Sequence, residues 1–180
     1  MEADELDHAL WLIPMSPTLE SAQGVITELI KSETTSPAFS PHITLLHPVS
    51  KSTPLDEIKS LLNDCIKQAD LEDKLPLSLK QAQGGSHYYQ SVLAPVSPDE
   101  KLSKLREACE KTFGWQGDSV YFPHLSLLYG DITTERREEL AKKVNEEMTL
   151  PKCVEIKEIA VVDCTGSAGQ WRTVATVSIA

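Results

Sequence analysis

The sequence predicts an α+β fold: a bilobal chain of two antiparallel sheets flanked by helices, the lobes related by a pseudo-twofold axis. Three observations carry this expectation. Pro41-His42-Ile43-Thr44-Leu45 reappears 82 residues later as Pro123-His124-Leu125-Ser126-Leu127. The punctuation repeats at an offset of 81, Pro14-Met15-Ser16-Pro17 matching Pro95-Val96-Ser97-Pro98. Strand-type and helix-type periodicity then recur in the same order in both halves, as a duplicated architecture requires. Hairpins with helices packed on one side give an α+β arrangement, not a doubly wound parallel sheet.

The elements follow in order. His8 to Pro14 reads as a strand, and Thr18 to about Ser32 as an amphipathic helix. His42 to Val49 is a strand with a buried apolar face. Thr53-Pro54 opens a helix to about Asp70, because proline is tolerated in the first turn and Leu55, Ile58, Leu61, Leu62, Cys65 and Ile66 recur at helical spacing. Leu75 to Gln83 and Tyr88 to Val96 bracket Gly84-Gly85-Ser86 as a hairpin. Pro98 starts a helix through about Phe113 with Leu102, Leu105 and Cys109 on one face. The second motif strand runs from about Tyr121 to Tyr129. Thr133 or Thr134 caps a helix to about Met148, Glu135 standing in the favourable first turn. Val154 to Cys164 and Trp171 to Ile179 close the chain as a hairpin across Gly166-Ser167-Ala168-Gly169. The repeated units are thus 8–96 and 88–179, sharing the strand 88–96 within one domain over 1–180. Equivalent strands face each other across the axis, so His42 and His124 meet in a central cleft.

Composition bounds the function. A chain of 180 residues buries about 70% of its unfolded surface, and 41% hydrophobic with 24% charged residues is ordinary for a globular protein. A net charge of −10 argues against long nucleic acid, whose affinity comes mostly from Lys and Arg on phosphates, but not against a small phosphate ester in a local pocket. The acidic start, Met1-Glu2-Ala3-Asp4-Glu5, lacks the basic flank and apolar core of a signal peptide. No run approaches the ~20 apolar residues of a membrane span. A cytoplasmic monomer is the expectation, and peripheral attachment to an endomembrane such as the Golgi is compatible with it. Cys65, Cys109, Cys153 and Cys164 show no C-x-x-C spacing, which removes zinc-ribbon and thioredoxin-like readings and leaves free, mostly buried thiols.

Strand side chains alternate between faces, so each histidine and the hydroxyl two residues on point the same way. The pair of motifs presents two imidazoles, His42 and His124, and two hydroxyls, Thr44 and Ser126, to one cleft. Imidazole exchanges protons near neutral pH, one ring as base and one as acid, while the hydroxyls donate to phosphate oxygens. No metal or other cofactor is required. Either motif alone would read as a histidine satisfied by backbone; the pair, with its matched punctuation, is the signal. His47 is out of phase with His42 and precedes Pro48, which suits a strand end, and His8 and His87 read as solvated. Tyr129 is out of phase with His124, but Gly130-Asp131 ends the strand and swings it back. Trp11, Tyr88, Tyr89 and Trp171 are the aromatics available to stack on a base, Tyr89 and Trp171 holding equivalent places in the two hairpins. Trp115 reads as a plug at a helix end, Gly84-Gly85 as a turn, and the acidic runs at 135–139 and 146–147 as solvated helix faces.

At these residues the chain resembles the two-histidine phosphoesterase superfamily, and the Pro123-His124-Leu125-Ser126-Leu127-Leu128-Tyr129-Gly130-Asp131 run looks most like its small cyclic phosphodiesterases of fungi and plants. The resemblance implies a 2′,3′-cyclic-nucleotide 3′-phosphodiesterase. It would open ADP-ribose 1″,2″-cyclic phosphate to the 1″-phosphate, and nucleoside 2′,3′-cyclic phosphates to 2′-phosphates, downstream of tRNA splicing. It also implies His42, Thr44, His124 and Ser126 as a catalytic quartet, with His124 as base and His42 as acid. Tyr129 would line the site and Trp11 would pack on the substrate. Plant members carry disulfides, whereas no partnering is visible among these cysteines. Two alternatives stand beside this reading. An RNA 2′–5′ end-processing enzyme of the same superfamily would show steeply salt-dependent binding. A non-catalytic nucleotide-binding module would tolerate loss of one imidazole, yet both motifs are complete.

Overall fold

The structure is a computed structural model and describes residues 8–179; the acidic start at 1–5 lies outside the described residues. The elements are β1 (His8–Pro14), α1 (Thr18–Ser32), β2 (Ile43–Val49), α2 (Leu55–Gln68), β3 (Leu75–Ser78), β4 (Gln83–Gly84), β5 (Val92–Pro95), α3 (Glu100–Thr112), β6 (His124–Leu128), α4 (Thr134–Glu147), β7 (Cys153–Asp163) and β8 (Arg172–Ser178). Short 3₁₀ turns stand at Tyr88–Gln90 and Ala168–Gln170.

The α+β class holds, and the two expected sheets are joined into one. Strand order is β3-β7-β1-β2-β6-β5-β4, with β8 on β7, and every pairing is antiparallel. The two ends of that order, β3 and β4, belong to one short segment, and Leu79 between them bridges to Val96. The sheet therefore curls round on itself. Between β2 and β6 the ladder is reduced to the single pair Ile43↔Leu125. Each histidine of the repeated motif sits one residue before that pair.

Sequence chemistry places the helices. α3 is capped by Asp99, whose carboxylate accepts from Leu102 N at 2.8 Å, and α4 by Thr133, which accepts from Arg136 N at 3.2 Å. Their buried faces are the expected apolar stripes: Ala22, Val25, Ile26 and Leu29 on α1; Ile58, Leu62, Cys65 and Ile66 on α2; Leu102, Leu105 and Cys109 on α3. These meet Leu10, Leu12, Leu45 and Leu127 from the sheet in one core, each buried leucine contributing about 1.5–3 kcal/mol. The alternate residues Ala9 and Trp11 of β1 join Ala160 and Val162 of β7 in a separate cluster on the other face. Helices cover one side of the curled sheet, and the other side is left to build a cavity.

Three expected strands are shorter than their periodicity suggested. Leu75 to Gln83 divides, because β3 pairs with β7 (Leu75↔Ile156, Ser78↔Cys153) while Gln83 and Gly84 turn to Leu93 and Val92. The carboxamide of Asn145 on α4 accepts from Ala82 N and donates to Ala82 O, both at 2.9 Å, satisfying the backbone at the crossover. Tyr88 to Gln90 forms a turn, since the Tyr88 carbonyl accepts from Gly130 N at 2.9 Å and so serves the end of β6, not a ladder. β6 begins at His124, Tyr121 having turned away to bond β2. His8, expected in solvent, is buried between Val49 and Asp163, and its Nδ1 has no hydrogen-bond partner among the described residues.

Gly85 is required by close approach: a Cβ there would meet the Gln90 carbonyl oxygen at 1.8 Å. Gly85→Ala is expected to lower unfolding free energy by roughly 1–3 kcal/mol, the usual cost of overpacking. Urea titration checks this, and an unchanged midpoint would show that the turn yields freely.

Candidate active site

A cavity of about 540 Å³ lies over the β2–β6 junction, and both motif histidines line it. Their anchoring repeats with the sequence. His42 Nδ1 donates to the Ser40 carbonyl at 2.7 Å, and His124 Nδ1 to the Phe122 carbonyl at 2.8 Å, each two residues upstream. A carbonyl oxygen only accepts, so Nδ1 carries the hydrogen in both neutral rings and Nε2 is the nitrogen that titrates.

The surroundings of the two rings differ. His42 is buried, stacked on Trp11 with centroids 3.5 Å apart and planes at 7°, with Phe39 edge-on at 6.2 Å. Burial pushes its pKa down to about 4, opposed by the Ser40 carbonyl and assisted by repulsion from His124. His124 is half-buried, and burial lowers its pKa against the pull of the Phe122 carbonyl. His42, the more deeply buried ring, is thus expected to take up a proton after His124.

Thr44 and Ser126 line the same cavity. The Thr44 carbonyl accepts from the Tyr121 hydroxyl at 2.9 Å, and Ser126 Oγ donates to the Tyr89 carbonyl at 3.3 Å. Tyr129 does swing back: β6 ends at Leu128, and the Tyr129 hydroxyl lies 3.4 Å from His42 Nε2. Its ring stacks on Phe39 at 3.9 Å, and burial raises its pKa, which keeps the phenol a donor at neutral pH. Tyr89 and Trp171 stand 5.5 Å apart and Trp11 and Trp171 5.9 Å, an aromatic wall on one side of the cavity. Tyr89 is half in solvent at 49% exposure, whereas Trp11 is 7% exposed with one face covered by His42. Tyr88 touches Tyr89 but stays outside the cavity.

Several lining residues were not foreseen. His47 lines the cavity despite its phase, because register shifts between His8 and Trp11 break the β1–β2 alternation. Trp115 closes the end of α3 as expected, its N bonding Glu110 O at 2.9 Å, and reaches the cavity as well. Arg106, Tyr121 and Phe122 complete that side. Of these only Phe122 carries a local signal, standing two residues before His124 as Ser40 does before His42. Among the described residues no Asp or Glu lines the cavity, and no group of three metal-ligating side chains occurs. None of the four cysteines is in a disulfide, and Cys65 and Cys109 are buried. No helix among the described residues is long and apolar enough to cross a membrane.

The profile of a family described as cyclic phosphodiesterase-like protein matches residues 6–179. A cyclic phosphodiesterase of Arabidopsis thaliana is 26% identical over 136 residues, covering 76% of this chain and 72% of that one. Among solved structures, Escherichia coli LigT complexed with 3′-AMP has a TM-score of 0.59 at 12% identity, covering 96% of this chain and 97% of that one. TT0787 of Thermus thermophilus has a TM-score of 0.57 at 15% identity, over 95% and 97%. Usb1 of Kluyveromyces marxianus has 0.55 at 12% identity, over 98% and 100%. At these identities the structures establish the fold.

The depressed His42 fixes a sign for stability. The unfolded ring binds a proton near its ordinary value of 6.5 and the folded ring only near 4, so unfolding takes up protons between them. Stability is expected to fall as pH drops through that window, His42 accounting for roughly 3 kcal/mol. Proton NMR of the imidazoles with urea melts at pH 7 and pH 4 checks both parts. A His42 midpoint at or above that of His124 would overturn the ordering.

Proposed function

The chain belongs to the cyclic phosphodiesterase-like protein family, and on that premise we propose that it opens small ribose cyclic phosphates with its two histidines, without a metal. The observation that carries the reading is the duplicated anchoring: both rings hold Nδ1 on a carbonyl two residues upstream, which reserves both Nε2 atoms for proton exchange at one cavity.

The chemistry follows from the balance of protons. One Nε2 takes a proton from water, and the water oxygen attacks phosphorus. The ring P–O bond breaks, and the departing ribose oxygen takes a proton from the other imidazolium. The depressed pKa of His42 suits it to the base role, and His124, the easier ring to protonate, to the acid role. Thr44 and Ser126 hydroxyls donate to the non-bridging oxygens, where charge grows in the transition state. Tyr129 adds a third donor beside His42.

The substrate is small in this reading. A cavity of about 540 Å³ suits one nucleotide, and a net charge of −10 disfavours a polyanion. Tyr89 and Trp171 hold the base or adenine by stacking, worth about 1–3 kcal/mol per contact. Trp11, stacked on His42, lines the same cavity and holds the catalytic ring from one face. We assign nucleoside 2′,3′-cyclic phosphates, giving 2′-phosphates, and ADP-ribose 1″,2″-cyclic phosphate, giving the 1″-phosphate, as substrates. Such esters are supplied by tRNA splicing, and a monomer in the cytoplasm would meet them.

Phosphorus NMR of 2′,3′-cyclic AMP in EDTA is expected to show the 2′-phosphate as product; a silent spectrum that metal restores would refute the metal-free mechanism. His42→Ala and His124→Ala should each lose about 10²–10⁴-fold in kcat on that substrate. Bis(p-nitrophenyl) phosphate has a leaving group that needs no proton. On it His124→Ala should recover most of its loss and His42→Ala should not. The opposite pattern would exchange the roles, and near-wild-type kcat in either variant would dismiss the pair.

A further inference from the structure

Beyond the pair Ile43↔Leu125, three carbonyls of β2 accept hydrogen bonds from side chains outside the sheet. Thr44 O takes the Tyr121 hydroxyl at 2.9 Å, Leu45 O takes Arg106 Nη1 at 2.5 Å, and His47 O takes Trp115 Nε1 at 3.0 Å. Arg106 ties the three donors together. Its guanidinium carbon lies 4.5 Å from the Trp115 ring centroid and 4.6 Å from that of Tyr121, and its Nε donates to Glu110 at 2.6 Å, one turn along α3. The side chain is buried, and Arg106, Trp115 and Tyr121 all line the catalytic cavity.

The geometry assigns Arg106 the role of a positioning residue, which locks the 115–121 segment onto β2 and so sets Thr44 and His42 against the second motif. A planar cation is needed for this. It contacts two aromatic faces while its edge donates to Leu45 O and Glu110, a combination that the point charge of lysine cannot reproduce. Among the described residues Arg106 is the one Lys or Arg lining the cavity, and Glu110 neutralises it, so it acts on the reaction through β2 and not as a phosphate ligand. The inference rests on the proposed phosphodiesterase reading only for its kinetic consequence.

Two mild variants test it. Tyr121→Phe removes only the hydroxyl that holds Thr44 O, and Arg106→Lys keeps the charge while removing the planar fork. Both are expected to melt within a few degrees of wild type. On 2′,3′-cyclic AMP both should lose about tenfold or more in kcat with little change in KM, as expected when a contacting group shifts by a fraction of an ångström. Amide hydrogen exchange gives a readout that needs no substrate: residues 43–49 should exchange faster in both variants while α1 and β7 stay unchanged. Wild-type kcat together with unchanged exchange in β2 would overturn the positioning role. A wild-type protein inactive on the cyclic nucleotide but showing the localised exchange change on substitution would refute the substrate reading and leave the positioning role standing.

Discussion

The hydrogen bond from each imidazole Nδ1 to the carbonyl two residues upstream is the constraint on which the site depends. It sets the tautomer, so the same nitrogen of both rings is left to exchange protons. It also sets the ring plane, because an imidazole bonded to the carbonyl two residues upstream is held against rotation. The duplicated motif thus repeats an orientation as well as a residue type, and the junction at Ile43↔Leu125 brings the two copies together.

Duplication alone would make the histidines interchangeable, and packing breaks that equivalence. Trp11 and Phe39 enclose His42, and Tyr129 closes over its Nε2. His124 has Phe122 beside it and remains open to the cleft. Unequal burial of two equal residues is a direct way to give them different proton affinities at one place. The side chains responsible come from β1, the segment before β2 and the end of β6, none of them within the repeated tetrapeptide itself.

The sheet shows how a small chain makes a cavity from its own curvature. Because β3 and β4 belong to one segment at opposite ends of the strand order, the sheet must curl, and helices fill only its outer face. The inner face then has room for a hollow of about 540 Å³ over the single-pair junction of β2 and β6. Where β2 loses its neighbour, aromatic and guanidinium donors take the carbonyls, so the strand stays ordered at the edge of an open space.

The α+β class, the four helices, the paired motifs and the shared facing of His42 with Thr44 and of His124 with Ser126 were legible because each rests on local periodicity. Helix stripes such as Ile58, Leu62 and Ile66 need only the 3.6-residue repeat, and the histidine–hydroxyl pairs only the alternation of a strand. Lengths of strands and contacts across the cleft were not legible. Leu75 to Gln83 alternates as one strand but serves two edges of the sheet, and nothing within it says where it changes partner. Arg106 reads in sequence as one charge on the face of an amphipathic helix; only packing against Trp115 and Tyr121 brings it to β2. The chemical groups of the site were thus written into the chain by residue type and spacing. The unequal burial of its two imidazoles was decided by tertiary packing, because desolvation depends on neighbours distant in sequence.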